Sequence, residues 1–559
     1  MNKLCRIAFA AVLLALAGTP VALAQSDESA TERLVQILVK NGVLTKVQAE
    51  ELAAQARAEA RAARPPAAPD PAAPTQKPRP VAPGSVRVTY VPETVRKQIA
   101  AEVKQQVMQQ ATEEGWAEPN VIPGWTQRVR VSGDVRLRGQ MDSFPRGNYN
   151  AFPDFNAINS TANGYDAIGG VNPPLLNAAQ ERTRMRLRAR IGVSAKVADW
   201  VDSEIRIATG SDRGPVSTNQ TLGAGGDFSK YSLWLDRAAI TLRPDPDVTI
   251  YAGRSPNPFW TTDLLFDDDL NVDGLAAQGR LRFDKAFSGF LTLGGFPVFN
   301  TEFAFGSTNL AKTRSRDSWL LAAQLGADYK PEEQPYNLRI ALGYFGFQNV
   351  EGKTSRLCVA PTSYGSCDTD YTRAAWLTYG NTVMPVRNIA ATSGATTAQP
   401  QFYGLASRFG ILELRGQATY TGFHPVDVRL DGEYAQNLAF DRQAIERRGP
   451  VNNIGNNGSF VGSNTGYMMR LTAGHLTLTE AGMWNVAFAY KYVGSDAVID
   501  SLTDARFHQG GTNAKGFVLS GTYALARDIW LAGNWTSTNA VSGQPYSADT
   551  VLFDLNVRF

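Results

Sequence analysis

Five arginines, Arg182, Arg184, Arg186, Arg188 and Arg190, alternate with Thr183, Met185, Leu187, Ala189 and Ile191. At a rise of ~3.3 Å per residue, an extended strand sets such side chains on one face, about 7 Å apart. A row of guanidinium groups holds no nucleophile; its chemistry is electrostatic recognition of negative charge. Arg130, Arg136 and Arg138 occupy even positions of the stretch Val129 to Arg138, whose odd positions are Val129, Val131, Gly133, Val135 and Leu137, and are expected to join the row from an adjacent strand. Counter-charge is supplied by Asp263, Asp267, Asp268 and Asp269, within the segment Ser255 to Leu270. Basic and acidic rows set opposite each other create a transverse field that favours solutes presenting a dipole or an anionic group. The competing reading pairs the arginines with neighbouring acids such as Glu204 and Asp202, which would make the row scaffolding.

Other chemistries find little support. The histidines His424, His475 and His508 are scattered, and only His475, amid Thr472, Thr477 and Thr479, is expected in a strand, where a structural role is favoured over that of a general base. No phosphate-binding glycine loop, metal-ligand cluster or dinucleotide fingerprint appears on a suitable scaffold, so no catalytic residue, cofactor or metal is assigned. The run Asp267 to Asp269 lacks the spaced ligands and glycine of an EF-hand loop. Cys358 and Cys367 have eight residues between them, and in an oxidising compartment a disulfide is expected.

That compartment follows from the start of the chain. Lys3 and Arg6 precede an apolar run from Ile7 to Gly18 and then Ala22-Leu23-Ala24, the pattern of a secretory signal peptide over residues 1–24. Cys5 would leave with it, and so would two positive charges, bringing the net charge from +3 to about +1. A near-neutral chain gives no reason to expect nucleic acid. Residues 25–63 read as a helical periplasmic segment, with Leu34, Ile37 and Leu38 at helical spacing, and 64–84 as a Pro/Ala-rich linker. An amphipathic helix is expected within 85–120, where Val95, Ile99, Val103 and Val107 form a stripe that either packs on a barrel mouth or mediates a homo-oligomer.

From residue 127 to 559, period-two alternation takes over. Trp484, Val486, Phe488, Tyr490 and Tyr492 recur on one face, as do Val426, Val428, Leu430 and Tyr434 against Asp427, Arg429, Asp431 and Glu433. Runs of ~10 residues suffice to cross a bilayer when tilted, and alternation explains how a chain that is 43% hydrophobic avoids any spanning apolar run after the leader. Short turns are expected at Ala198 to Trp200, Pro244 to Pro246, Asp284-Lys285, Pro331 to Pro335, Phe423 to Pro425, Glu480 to Gly482 and Arg527-Asp528. They join fourteen strands in pairs, and a first and a last strand make sixteen, with Gln401 to Thr421 taken as one long strand that Gly410 could split to give eighteen. The fold class is all-β, a transmembrane antiparallel β-barrel with a short helical periplasmic N-terminal region. The last strand, with Val551, Phe553, Leu555, Val557 and Phe559 on one face, ends on an aromatic residue. A secreted soluble β-protein would alternate too, but without this rhythm of long and short connections.

Three stretches carry a resemblance to a known family: Val88 to Glu93, Trp125 to Arg138 and, most specifically, GRSPNPFWTTDLLFDDDLNVDG from Gly253 to Gly274. The chain resembles the proteobacterial outer-membrane proteins called "putative porins". The resemblance implies a porin-like barrel with a helical periplasmic part, and names no solute. Phe559 likewise resembles the terminal signal read by the barrel-assembly machinery. In sixteen-stranded porins the third outer loop folds into the pore, which by analogy would set the acidic segment against the arginines. The expected function is passive diffusion of small hydrophilic solutes through the outer membrane, with outer-membrane lipid and lipopolysaccharide around the barrel. The alternatives are a plugged barrel serving as a structural anchor and, further off, an outer-membrane hydrolase.

Overall fold

A computed structural model describes residues 128–161, 164–166, 173–211, 214–300, 316–359, 367–390 and 400–559. The expected signal peptide, helical segment, linker and amphipathic helix lie outside them. Sixteen long strands account for the wall: β1 (Val129–Ser143), β2 (Arg182–Ala198), β3 (Val201–Ala208), β4 (Trp234–Asp245), β5 (Val248–Pro256), β6 (Asn271–Arg282), β7 (Phe287–Phe299) and β8 (Ser318–Tyr329) in the first half. The second half is β9 (Tyr336–Gln348), β10 (Phe409–Phe423), β11 (Val426–Asn437), β12 (Thr465–Gly474), β13 (Trp484–Val493), β14 (Ala514–Ala526), β15 (Ile529–Ala540) and β16 (Ser547–Arg558). Each pairs antiparallel with the next, and β16 returns to β1 with Leu555 opposite Leu137, so the sheet closes and leaves no edge.

Alternation decides which side of the wall each residue faces. In β16, Phe553 is 60% exposed on the outer face while its neighbour Leu552 is 3% exposed on the lumenal face. Val131, Val135, Leu137 and Met141 of β1 and Met185, Ile191 and Val193 of β2 are likewise exposed outward, as a lipid-facing belt requires.

All seven expected turns fall between consecutive strands of one end. Their polar residues satisfy the backbone where the ladder stops: Asp284 accepts from the N–H groups of Ala286 and Phe287, and Asp245 from that of Asp247. The strand expected over Gln401 to Thr421 differs. β10 begins only at Phe409, and Gly410 sits inside it opposite Gly346. Tyr403–Leu405 instead pairs with Val383–Pro385 inside the fifth outer loop, residues 349–408, where Gly404 lies against Gly352 so closely that a Cβ would clash. The count therefore stays at sixteen. At the seam, Phe559 and Gly133 exchange backbone hydrogen bonds of 3.0 and 2.8 Å, and the Phe559 ring covers the place a Cβ on Gly133 would occupy.

Candidate functional site

The register of β1 on β2 builds the basic wall. Arg136 stands opposite Arg188 and Arg138 opposite Arg186, while Asp134 faces Arg190, Gln140 faces Arg184 and Asp142 faces Arg182. Like charges directly across a strand pair repel, and the wall resolves this by sending the two arginines of each opposed pair to different acceptors. Asp134 accepts from Arg188 at 2.9 Å and Arg190 at 2.6 Å. Asp554 of β16 binds Arg138 with two bonds of 2.7 Å, and buried Asp142 accepts from Arg184 at 2.7 Å with Arg182 at 3.7 Å. Arg136 and Arg186 are held differently, among the described residues by amides alone: Arg136 donates to the Asn219 side chain at 2.6 Å, and Arg186 to Gln140 at 3.2 Å and the Asn219 carbonyl at 3.4 Å. The Nε–H groups of Arg136, Arg182, Arg184 and Arg186 are buried and find no partner among the described residues. Arg130 shares their face but lies opposite Ser194, exposed and remote from this cluster. Neither Glu204 nor Asp202 reaches the row, because Arg237 and Arg243 of β4 take them.

Facing this wall, loop 3 (residues 257–270) crosses the lumen. Asn257 starts it by capping the N–H of Phe259 between two prolines that cannot continue a strand ladder. The Trp260 ring lies between the guanidinium groups of Arg339 at 4.3 Å and Arg415 at 3.9 Å, and its backbone N–H and carbonyl bind the Gln324 side chain. Thr262 donates its N–H and its hydroxyl to Glu433 of β11. Leu264, Leu265 and Phe266 are buried, with Phe266 and Phe259 set edge-on against Phe345 of β9. The sequence DLLFDDDL thus folds as an apolar foot with acids on either side.

Those acids do not act together. Asp263 turns to the far wall, meeting Arg470 at 2.8 Å, Lys491 at 3.4 Å and Arg506 of loop 7 (residues 494–513) at 3.8 Å. Burial works to raise its pKa, but Lys491, Arg470 and Arg506 outweigh it and hold the carboxylate well below the ordinary range. Asp267 accepts the Ala505 and Asp269 N–H groups, and burial followed by the charge of Asp504 pushes its pKa up. Asp268 is open to the lumen, 3.5 Å from Arg506. Only Asp269 meets the row, at 3.3 Å from Arg188 and 3.1 Å from Arg190; burial opposes its ionisation, but these arginines keep it charged. The expected opposition of basic wall and acidic loop is therefore carried by Asp269 alone, through its two ion pairs with Arg188 and Arg190, while Asp268 meets Arg506 of loop 7.

Between wall and loops lies a cavity of about 620 Å³, lined by Arg136, Arg138, Arg182, Arg184, Arg186 and Arg188 on one side. A second cavity, of about 290 Å³, lies beyond loop 3. Arg138, Asp268 and Arg506 line both, so these three side chains stand between the two cavities. Asp500 of loop 7 also lines the larger one; burial pushes its pKa up to about 7.

Several participants escaped sequence reading. Arg506, Trp376 and Asn219 come from irregular loops with no periodicity to betray them. Lys491 was legible, since it fills the lumenal position between Tyr490 and Tyr492. His475, expected in a strand, instead follows the end of β12 in a turn, with Nδ1 3.2 Å from the Trp484 carbonyl. Among the described residues, no group of three or more His, Cys, Asp or Glu is placed to hold a metal ion.

In loop 5, Cys358 and Cys367 are joined by a disulfide with Cα atoms 5.9 Å apart. Closing so short a loop stabilises by on the order of 2 to 3 kcal/mol. Intact-mass analysis should find two alkylatable thiols only after reduction; two in the unreduced protein would refute the bond.

A family model described as "Putative porin" matches residues 28–559. Similar solved structures include OprB of Pseudomonas putida, at 9% identity and a TM-score of 0.42, covering 78% of this chain and 95% of that one. The outer membrane channel DcaP of Acinetobacter baumannii is similar at 10% identity, with a TM-score of 0.36 and coverage of 77% and 97%. An anion-selective porin from Comamonas acidovorans is similar at 10% identity, with a TM-score of 0.36 and coverage of 77% and 99%. The likeness is one of architecture alone. No curated protein matches the chain.

Proposed function

The chain belongs to the porin family whose model it matches, and on that premise we propose that it is an anion-preferring channel of the outer membrane for small hydrophilic solutes. What supports the preference is the pair Arg136 and Arg186, fixed by amides and so retaining their charge for the lumen, in a wall whose other arginines are largely offset by Asp134, Asp142, Asp269 and Asp554. A positive surplus in a narrow, low-dielectric passage concentrates anions and excludes cations. Purified protein in a planar bilayer under a KCl gradient should show open-channel steps with a reversal potential on the chloride side. A cation-side potential would overturn the preference.

Hydrogen bonds tying loop 5 to loop 7 favour the anchor reading: Asn381 donates to the carbonyls of Ser495 and Val498, and Thr382 to Asp496. Absence of conducting steps in the same bilayer would overturn the channel reading.

A pH dependence follows from Asp500. A carboxyl is neutral below its pKa and negative above it, so raising pH through about 7 adds negative charge to the cavity. The chloride-over-potassium permeability ratio should fall roughly two-fold between about pH 6 and pH 8. Asp267 lines the same cavity and is likewise pushed up to about 7 by burial and Asp504, so Asp500→Asn should make the profile shallower rather than flat; an unchanged slope in the variant assigns it to Asp267.

Because β16 pairs back on β1 and closes the barrel, this reading takes the N-terminal region, placed in the periplasm, as dispensable for insertion. A chain starting near Asn120 should insert and resist heat and protease as the full chain does. Failure to insert would make the earlier residues part of barrel assembly.

A further inference from the structure

The larger cavity has two chemically different kinds of lining. Besides the arginines of β1 and β2, it is lined by Trp376, Leu377 and Tyr379 of loop 5, Leu176 of loop 1 (residues 144–181), Val216 of loop 2 (residues 209–233) and Tyr546 of loop 8 (residues 541–546). These side chains are fixed rather than free to collapse. Leu377 is buried, Tyr379 and Tyr546 meet edge to face with ring centroids 5.0 Å apart, and both pack at a tilt against buried His508, at 5.3 and 4.4 Å. Asn156 of loop 1 and Asp500 of loop 7 accept the backbone N–H groups of Leu377 and Thr378, which fixes the turn carrying Trp376.

We propose that this cavity is a binding site for organic anions that join a carboxylate to an apolar ring, the carboxylate on the Arg136 and Arg186 side and the ring against Trp376 and Tyr379. The inference rests on the anion-preferring reading and narrows its substrate class. A purely inorganic anion would use the arginines and leave the apolar lining idle. A purely apolar solute would leave the guanidinium groups of Arg136 and Arg186 on the cavity without a counter-charge. A planar guanidinium matches a carboxylate with two parallel N–H donors, and a ring-sized body gains from water exclusion against the apolar lining. A volume of about 620 Å³ lies within the usual range for a site enclosing one small molecule. Passage through a channel limits the affinity, because a solute held too tightly does not leave.

Block of ion current through the full-length protein in planar bilayers tests this with three probes: benzoate, acetate and benzyl alcohol. Benzoate should block at a concentration about ten-fold lower than acetate, and benzyl alcohol more weakly than benzoate. Trp376→Ala should bring the benzoate midpoint close to that of acetate. Equal block by benzoate and acetate on the unsubstituted protein would overturn the ring subsite. Equal block by benzoate and benzyl alcohol would overturn the carboxylate subsite. Neither result touches the reversal potential, which is measured first in KCl on the same channels; a cation-side potential there would defeat the anion-preferring reading itself. The probe series on the unsubstituted protein decides the proposal even if the tryptophan variant does not fold.

Discussion

Converting Arg184, Arg186 and Arg188 together to Glu is expected to turn an anion-preferring channel into a cation-preferring one, changing the chloride-to-potassium permeability ratio by at least about ten-fold. The three side chains line the larger cavity. Substitution replaces three positive charges by three negative ones beside Asp134 and Asp142. Screening acts over ~10 Å at 0.1 M salt, comparable to the passage itself, so the effect should be largest in dilute KCl and shrink toward 1 M. Single substitutions should rank unequally. Among the described residues Arg186 has amide partners and no carboxylate, so Arg186→Glu removes unpaired charge, whereas Arg190 is held at 2.6 Å by Asp134 and 3.1 Å by Asp269. Arg190→Glu should therefore disturb the docking of loop 3 more than selectivity. Retention of the original permeability ratio by a correctly inserted triple variant would mean that the row is scaffolding.

The wall was legible in the sequence because its physics is local. A strand repeats every two residues, so Arg182 to Ile191 announces a charged and an apolar face without reference to the rest of the chain, and lipid outside leaves the charges one place to go. The turns were legible for the same reason, being short and built from Asp, Pro and Gly, whose conformational preferences are their own. Loops 5 and 7 are different. Asn381, Thr382, Asp496 and Asp500 acquire meaning only through contacts across more than a hundred positions of sequence. Nothing in the neighbourhood of Arg506 signals that it will stand between Asp263, Asp268 and Asp504.

The acidic segment shows where local reasoning goes astray. Four aspartates in seven residues look like one feature, yet Leu264, Leu265 and Phe266 must be buried, and the backbone that buries them throws Asp263 to one wall and Asp269 to the other. The analogy with the third loop of porins located the segment in the lumen. It could not say which carboxylates would face the row. Likewise, the expectation that Gln401 to Thr421 formed one strand counted only its pattern; Tyr403–Leu405 is buried and polar-paired within the loop, so alternation there has a different cause.

Removing the Asp263 carboxylate should release loop 3 from the far wall. In Asp263→Asn, Lys491, with a side chain only 1% exposed, keeps Asp504 at 3.0 Å but loses the second carboxylate that separates it from Arg470 and Arg506. Breaking a buried pair from one side typically costs about 3 to 5 kcal/mol, since the remaining charge is left uncompensated. The loop has other attachments, at Thr262 to Glu433 and through its apolar foot, so the expected outcome is a loop that samples undocked positions rather than an unfolded barrel. Single-channel recordings should then show a higher mean conductance and excess open-channel noise, with the heat resistance of the barrel little changed. Adding Lys491→Met to Asp263→Asn should quieten the channel again by removing the stranded charge, a coupling that independent effects would not produce. Acid offers a check without mutation. Because Asp263 is held below its ordinary value of 3.8, its contribution is fully present above that pH and is lost only as pH falls below it toward the folded-state value. The unsubstituted channel should therefore stay quiet with respect to this latch from about pH 5 to 8 and become noisy only below about pH 4. If Asp263→Asn conducts as quietly as the parent, the apolar foot of Leu264, Leu265 and Phe266 alone holds the loop, and the ionic cluster serves selectivity rather than attachment.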